Sequence, residues 1–176
     1  MPDREATCLC GQLRPEVTGE PFSASICNCL ACKRGTGSAF GMQAGFRTDQ
    51  VRIEGRHTDY SRISDEADRK EHVLHFCPGC GSQVFYTEPT EPDLVVVSVG
   101  SFADPSFPPP TESGYDSRRH AWIGLPESVR LLAPRIWFNG LRTGCSEMPA
   151  LAGTRVATRP VFHDATTVST RRPGVP

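Results

Sequence analysis

Residues 73–87 read VLHFCPGCGSQVFYT, and this stretch decides which fold class the chain is expected to adopt. Two apolar runs, residues 73–76 and 83–87, flank a Cys-Pro-Gly-Cys-Gly turn at residues 77–81. The proline fixes one backbone angle and the two glycines permit a reversed turn, so both thiols are aimed at one point. Zinc takes thiolate ligands of this kind in a tetrahedral arrangement. The stretch therefore predicts a β-hairpin with a metal-binding knuckle at its tip.

The rest of the apolar pattern is short and interrupted by turn residues, which favours strands over long helices. Further strands are predicted at residues 8–17, 38–46, 51–53 and 94–99. The last of these, LVVVSV, is continuously apolar, which indicates a strand buried on both faces. Short helices are predicted only at residues 28–34 and 65–71. The pattern as a whole predicts a mainly β fold with few short helices.

The length of the chain, 176 residues, is enough to bury one sizeable core, so a single domain is the expected organisation. The composition changes after Cys145. Residues 146–176 are rich in Thr, Arg, Pro and Ala and contain few large apolar side chains. We therefore predict a domain over residues 1–145 and a C-terminal arm or tail over residues 146–176.

The charge pattern argues against several classes of partner. The net charge of -1 is too balanced to indicate binding to nucleic acid or to an anionic membrane. No apolar run reaches the length of a membrane span, and the charged residues 1–5 are not followed by the apolar core of a signal peptide. We therefore expect a cytoplasmic protein without nucleic-acid or membrane partners. An oligomer is compatible with the sequence.

Eight cysteines in a chain of this length need an explanation. They form a first pair, a trio, a knuckle pair and one isolated residue: Cys8 and Cys10; Cys27, Cys29 and Cys32; Cys77 and Cys80; and Cys145. The even number would permit four disulfides, but the expected reducing compartment, the adequate chain length and the tight clustering favour metal binding. The isolated cysteine matches no cluster, and we interpret it as a bystander thiol.

Seven clustered thiolates divide naturally as four plus three, because four ligands close a tetrahedral site and three leave one position open. In one division, Cys29 and Cys32 join the knuckle pair, and Cys27 is left with the first pair. In the other, the first pair joins the knuckle pair and the whole trio remains. The second division is physically better, because one local turn can preorganise a trio that lies within six residues. The spacing by itself leaves both divisions open.

Three cysteine blocks follow one another in a specific order: CLCG at 8–11, CNCLACKRGTGS at 27–38 and FCPGCGS at 76–82. A later segment, VSVGSFADP at 97–105, continues the pattern. Together these motifs resemble the glutathione-dependent formaldehyde-activating enzyme family, which includes centromere protein V. The resemblance covers about residues 5–130. It implies a fold of small twisted β-sheets and hairpins assembled around a structural zinc.

The resemblance also implies roles for the cysteines and a reaction. By analogy with the family, the first pair and the knuckle pair would share a structural zinc. The trio of Cys27, Cys29 and Cys32 would hold a second, catalytic zinc, so two Zn²⁺ ions are expected per chain. The family activity is that of a carbon-sulfur lyase, which forms or cleaves adducts such as S-hydroxymethylglutathione. The implied partners are therefore a small thiol, glutathione, and a small aldehyde, formaldehyde.

Residues beside the trio are candidates for binding substrate. Lys33 and Arg34 would bind substrate carboxylates or offset the anionic centre, or they form a solvated basic pair. Asn28 departs from the family, which commonly has His at this position. An amide cannot carry a proton by titrating near neutral pH, so the residue that moves protons is not identified by the sequence.

The histidines of the chain offer few metal ligands by their spacing. No metal-ligand pattern connects the five histidines, His57, His72, His75, His120 and His163. His75 lies two residues before Cys77 on the same predicted strand, so it is a candidate hydrogen-bond partner of the structural zinc site. An ordinary half-buried strand residue is the alternative interpretation.

The sequence is also compatible with a second class of function. The chain could be a non-enzymatic zinc-binding module that recruits another protein, because a zinc-stabilised β fold also serves as a scaffold. A methionine sulfoxide reductase is a third candidate, but it would need a reactive unliganded cysteine on a core strand, and Cys145 fits that role poorly. A trio with only three ligands favours the enzyme.

Overall fold

A computed structural model describes residues 3–64 and 69–132 of the chain. These residues form eleven strands: β1 (Asp3–Glu5), β2 (Arg14–Thr18), β3 (Ser23–Cys27), β4 (Gly41–Arg47), β5 (Val51–Glu54), β6 (Thr58–Ile63), β7 (Glu71–Phe76), β8 (Gln83–Glu88), β9 (Glu91–Ser98), β10 (Glu112–Gly114) and β11 (Arg130–Leu131). The α-helix α1 spans Leu30–Thr36. Short 3₁₀ turns lie at Thr48–Gln50, Val99–Phe102 and Asp116–Arg118. The prediction of a mainly β fold with few short helices is confirmed.

The strands form two sheets. The smaller sheet has the order β1-β2-β5, and the larger has the order β11-β10-β3-β4-β9-β8-β7-β6. Neighbouring strands are antiparallel, except that β10 runs parallel to both β3 and β11. This order brings the segment after β3 close to β10 and leaves β6 at one edge of the larger sheet.

The core lies on both faces of the central strand β9. Val95 and Val97 pack in a cluster with Phe46 and Phe85, and Val96 packs in a second cluster with the Tyr86 side chain. Alternate side chains of a strand point to opposite faces of the sheet, which explains the two clusters. The prediction that this apolar strand is buried on both faces is therefore confirmed.

The strand predicted over residues 8–17 is wrong in its first half. Strand β2 begins only at Arg14, and Cys8 to Cys10 lie in a turn. The Gly11 N–H donates to the Cys8 carbonyl oxygen at 2.9 Å, and the positive φ of 74° at Gly11 closes this turn. The first pair of thiols is therefore brought together by a turn and not by one face of a strand.

The helix predictions agree with the structure only in part. The helix predicted at residues 28–34 forms as α1 but begins at Leu30, because Cys29 has extended backbone angles and caps the helix. The second predicted helix, at residues 65–71, is wrong at its end, since Glu71 begins strand β7. Residues 65–68 lie outside the described residues. The predicted domain boundary at residue 145 and the arm at residues 146–176 also lie outside them.

In the part of the chain that the structure describes, no helix has the length and apolar character needed to cross a membrane.

Candidate functional site

The first pair and the knuckle pair meet at one point, although Cys10 and Cys77 are 67 positions apart in the chain. Their four sulfur atoms, from Cys8, Cys10, Cys77 and Cys80, lie within 4.8 Å of one another. The Cys10 sulfur lies 3.6 Å from the sulfur of Cys8 and 3.6 Å from that of Cys77. Four thiolates at about 2.3 Å from a tetrahedral zinc are about 3.8 Å apart. This group of four thiols therefore fits a closed zinc site.

Hydrogen bonds within the knuckle hold these sulfurs in place. The Cys77 N–H donates to the Ser82 carbonyl oxygen at 2.9 Å, and the Gly81 N–H donates to the Cys77 carbonyl oxygen at 2.8 Å. The Ser82 hydroxyl lies 3.3 Å from the Cys80 sulfur, and hydrogen bonds from Ser82 lower the pKa of Cys80 to about 5. A lowered pKa favours the thiolate, which is the form that binds a metal.

Two residues outside the cysteine motifs also contact this group. The Gln12 side-chain amide donates to the Cys77 sulfur at 3.1 Å and to the Arg56 carbonyl oxygen at 2.7 Å. The Leu13 N–H donates to the Cys8 sulfur at 3.3 Å. His75, which the sequence offers either as such a partner or as an ordinary strand residue, has other contacts. The structure places the His75 ring against Asp59 and Thr87.

The trio is built around the start of α1. Cys27 is the last residue of β3, Cys29 caps the helix, and the backbone N–H of Cys32 donates to the Cys29 sulfur at 3.2 Å. The three sulfurs lie within 4.8 Å of one another. Among the described residues, no other Cys, His, Asp or Glu joins this group. The trio could therefore hold a metal ion with three thiolates and one open position.

The thiols of the trio have pKa values shifted in opposite directions. Hydrogen bonds from the thiols of Cys27 and Cys32, with the charge of Arg62 as a smaller contribution, hold the pKa of Cys29 well below its usual value. The pKa of Cys27 is raised, first because its thiol donates to Cys29 and then because it is buried. One thiolate is thus already stabilised in the trio by its own neighbours.

Asn28 is fully buried between the first two thiols of the trio. Its side-chain amide donates to the Ser113 hydroxyl at 3.1 Å and to the Gly114 carbonyl oxygen at 3.0 Å. These bonds tie the trio to strand β10. The amide at this position therefore acts as a structural anchor.

A cavity of about 390 Å³ adjoins the trio. This volume lies within the range of pockets that hold small organic ligands. The sulfur-bearing wall consists of Cys27, Cys29 and Cys32. The rest of the lining comes mainly from α1 and from strands β4, β6, β7 and β8. It exposes more apolar than polar surface, but it includes several polar and charged side chains: Arg34, Tyr60, Arg62, Lys70, His72, Tyr86 and Glu88. Apart from the trio and Arg34, sequence reasoning identified none of these residues.

A buried carboxylate lies in this cavity wall. The Glu88 side chain is only 2% exposed, and its oxygens lie 3.3 Å from Lys70 Nζ and 3.5 Å from His72 Nδ1. Burial opposes the charge of Lys70, but Glu91 and Glu88 outweigh it and raise the pKa of Lys70. The His72 ring packs edge-on against Tyr86, with ring centres 5.4 Å apart. The cavity thus holds charged groups of both signs and a histidine.

The two basic residues after the trio are separated in the fold. Arg34 lines the cavity. The Lys33 ammonium instead donates to the Arg118 carbonyl oxygen at 2.5 Å and is not among the residues that line the cavity. The predicted binding role of the pair therefore stays a prediction, and the structure favours Arg34 for it.

The fold and the site define a β-sheet protein with two clusters of cysteine thiols that are able to bind metal. A model of the glutathione-dependent formaldehyde-activating enzyme family matches residues 3–122, which is more than half of the chain. The chain belongs to the glutathione-dependent formaldehyde-activating enzyme family. The resemblance deduced from the cysteine motifs is thereby confirmed.

Proteins that are similar to this chain include one curated relative and one solved structure. A Halomonas elongata protein, provisionally described as a glutathione-dependent formaldehyde-activating enzyme, is 26% identical over 111 residues, which cover 61% of this chain and 70% of that protein. The crystal structure of a Rhodobacter sphaeroides protein matches with 26% identity and a TM-score of 0.43, and covers 60% of this chain and 91% of that one.

Proposed function

We propose that this chain catalyses the reversible addition of glutathione to formaldehyde, a carbon-sulfur lyase type of reaction. In the forward direction the thiol sulfur forms a bond to the carbonyl carbon while the C=O π bond breaks. The thiol proton ends on the new hydroxyl oxygen, and the product is S-hydroxymethylglutathione. The reverse reaction cleaves the same carbon-sulfur bond. No electron donor or acceptor is needed.

The observation that carries this proposal is the open trio facing a cavity. Three thiols without a fourth ligand among the described residues adjoin a space of about 390 Å³. We propose that the trio binds a catalytic Zn²⁺ and that Cys8, Cys10, Cys77 and Cys80 bind a structural one. When bound, a zinc ion at the trio would lower the pKa of a fourth thiol and favour its nucleophilic thiolate form.

The cationic side chains of the cavity would bind the substrate thiol. Glutathione carries two carboxylates and one ammonium group. Arg34 and Arg62 line the cavity, and guanidinium groups pair well with carboxylates. The Glu88 carboxylate is already paired with Lys70 and His72, so the arginines are the groups we assign to the substrate. These positive charges beside the trio support a thiol that carries carboxylates over an uncharged one.

A histidine in the cavity is the candidate proton carrier. His72 lines the cavity, and it is the only histidine among the described lining residues. Its Nδ1 lies 3.5 Å from the Glu88 carboxylate, a contact that would orient the ring. A histidine titrates near neutral pH, so this ring would accept the thiol proton and return it to the developing alkoxide.

We place the reaction in the reducing cytoplasm, where thiols persist.

The test is a direct rate measurement. The purified protein is mixed with glutathione and formaldehyde, and exchange between free and adduct carbon is followed by NMR. We expect faster exchange than in buffer, and no acceleration with Cys32→Ser. The matched control is Cys145→Ser, which changes a cysteine outside the sequence clusters and should retain the acceleration. An unaccelerated rate with several thiols and aldehydes would contradict the proposal and favour a non-enzymatic zinc-binding interaction module.

A further inference from the structure

A second group of potential metal ligands lies at the edge of the larger sheet. Asp59 in β6 is paired directly with His75 in β7, and His57 precedes Asp59 by two residues. The Nδ1 atoms of His57 and His75 lie 2.6 Å and 2.8 Å from the same Asp59 oxygen. One ligand atom from each residue lies within 4.8 Å of the others. The fold therefore brings together three potential ligands, two imidazoles and one carboxylate, and the spacing of the histidines in the sequence showed no metal pattern.

The rings of this cluster are held in fixed orientations. His75 stacks on Phe85 with ring centres 4.3 Å apart, and its Nε2 lies 3.0 Å from the Thr87 hydroxyl. A hydrogen bond at one ring nitrogen fixes the direction of the other, as in most histidines that bind metals. His57 packs edge-on against His75 at 4.8 Å. Both Nδ1 atoms are thereby aimed at the Asp59 carboxylate.

The cluster also offers suitable charge and access. The side chains of His57 and Asp59 are 35% and 50% exposed, whereas His75 is 9% exposed. One side of the cluster is therefore buried and the other is open to water, which could complete a coordination sphere. Hydrogen bonds from His75 and then from His57 lower the pKa of Asp59, so its carboxylate is ionised at neutral pH.

We propose that His57, Asp59 and His75 form a third metal site, which takes a first-row divalent cation such as Zn²⁺ or Co²⁺. Two imidazoles and one carboxylate suit these ions, and they differ in kind from the thiolates of the other two sites. Binding replaces the protons shared between the rings and the carboxylate. Ligands at about 2.0–2.1 Å from a tetrahedral ion lie about 3.3 Å apart. The Asp59 oxygen lies 2.6 Å and 2.8 Å from the two nitrogens, so the exposed carboxylate must move away from them by about 0.5–0.7 Å. The site is independent of the proposed enzymatic activity.

A cobalt titration tests the third site. The zinc content of the full-length protein is measured first, and Co²⁺ is then added while retention of that zinc is monitored. We expect one further Co²⁺ per chain, with visible absorption but without the near-ultraviolet sulfur-to-cobalt charge-transfer absorption of thiolate sites. In metal sites generally, mutating a residue that only hydrogen-bonds to a ligand weakens metal binding by about 10- to 100-fold. Replacing a ligand itself should weaken binding by at least as much. The isosteric Asp59→Asn and the exposed-site His57→Gln should therefore weaken this Co²⁺ binding by at least about tenfold.

Two controls make the outcome decisive. His120→Gln removes an exposed imidazole elsewhere and should leave the additional binding unchanged. The variants should keep the wild-type zinc content and circular dichroism, which shows that they fold. The proposal is overturned if no additional Co²⁺ binds, if binding persists unchanged in Asp59→Asn, or if the added Co²⁺ shows thiolate charge transfer.

Discussion

Asn28 donates two hydrogen bonds to the carbonyl oxygen of Gly114, one from its backbone at 3.1 Å and one from its side chain at 3.0 Å. The two residues are 86 positions apart in the chain. This contact joins the turn that carries the trio to strand β10. The position and burial of Asn28 therefore assign it to the support of the site and not to proton transfer.

Replacing Asn28 should weaken the fold around the trio. Asn28→Ala removes two buried side-chain hydrogen bonds, and we expect a loss of about 1–3 kcal/mol in the free energy of unfolding. Urea denaturation measures this loss. Ser113→Ala, which removes only one of the two bonds, should cost less. An Asn28→Ala protein as stable as the wild type would show that this anchor is dispensable.

Disrupting the four-cysteine cluster should affect folding more than disrupting the trio. Cys77→Ser breaks the group that joins two distant segments, so we expect unfolding or aggregation. Cys29→Ser should remain folded, because serine is a good helix cap and can replace the capping role of Cys29. Far-ultraviolet circular dichroism and metal content distinguish the two variants. Equal folding of both would contradict the structural and catalytic division proposed here.

Chelators should remove the two proposed zinc ions in two phases. A three-thiolate site has an exchangeable fourth position that a chelator can enter, whereas a four-thiolate site has none. We expect the first phase to abolish activity and leave the fold intact, and the second to accompany unfolding. Zinc release can be followed with a chromogenic chelator beside circular dichroism. A single phase coupled to unfolding would argue against the open trio.

His72 should be required for turnover more than for binding. General acid-base catalysis contributes about 10²- to 10⁴-fold to rates, so His72→Gln should lower kcat within that range and change KM little. The control is His120→Gln, since His120 is not among the residues that line the cavity. Steady-state kinetics decide the matter, and an unchanged kcat in His72→Gln would remove this residue from the mechanism.

Arg34 should select thiols that carry carboxylates. A hydrogen bond to a charged group contributes about 1.5–3 kcal/mol, so Arg34→Met should raise the KM for glutathione by about tenfold or more. The KM for 2-mercaptoethanol, which has no carboxylate, should not change. Lys33→Met is a matched control, because its ammonium binds a backbone carbonyl away from the cavity lining. Equal effects of both variants would contradict the assigned role of Arg34.

Local features of the fold could be predicted because short segments determine them. The knuckle turn depends on a proline and glycines within five residues. The continuous apolar run of β9 indicates by itself that the strand is buried on both faces. Strand β6 escaped prediction, since most of its residues are exposed and it shows no apolar alternation. The turn at Cys8–Cys10 escaped because a left-handed glycine and not a strand organises it.

The sequence by itself therefore determined the mainly β class, the family, and the cysteines that form each local cluster. Only the tertiary structure decided which clusters meet and what surrounds them. Glu88, His72 and Lys70 face one another because β7 and β8 pair in a particular register, and strand pairing likewise joins His75 to Asp59. Such contacts depend on strand order and register across distant segments, and no single segment of the sequence encodes either of them.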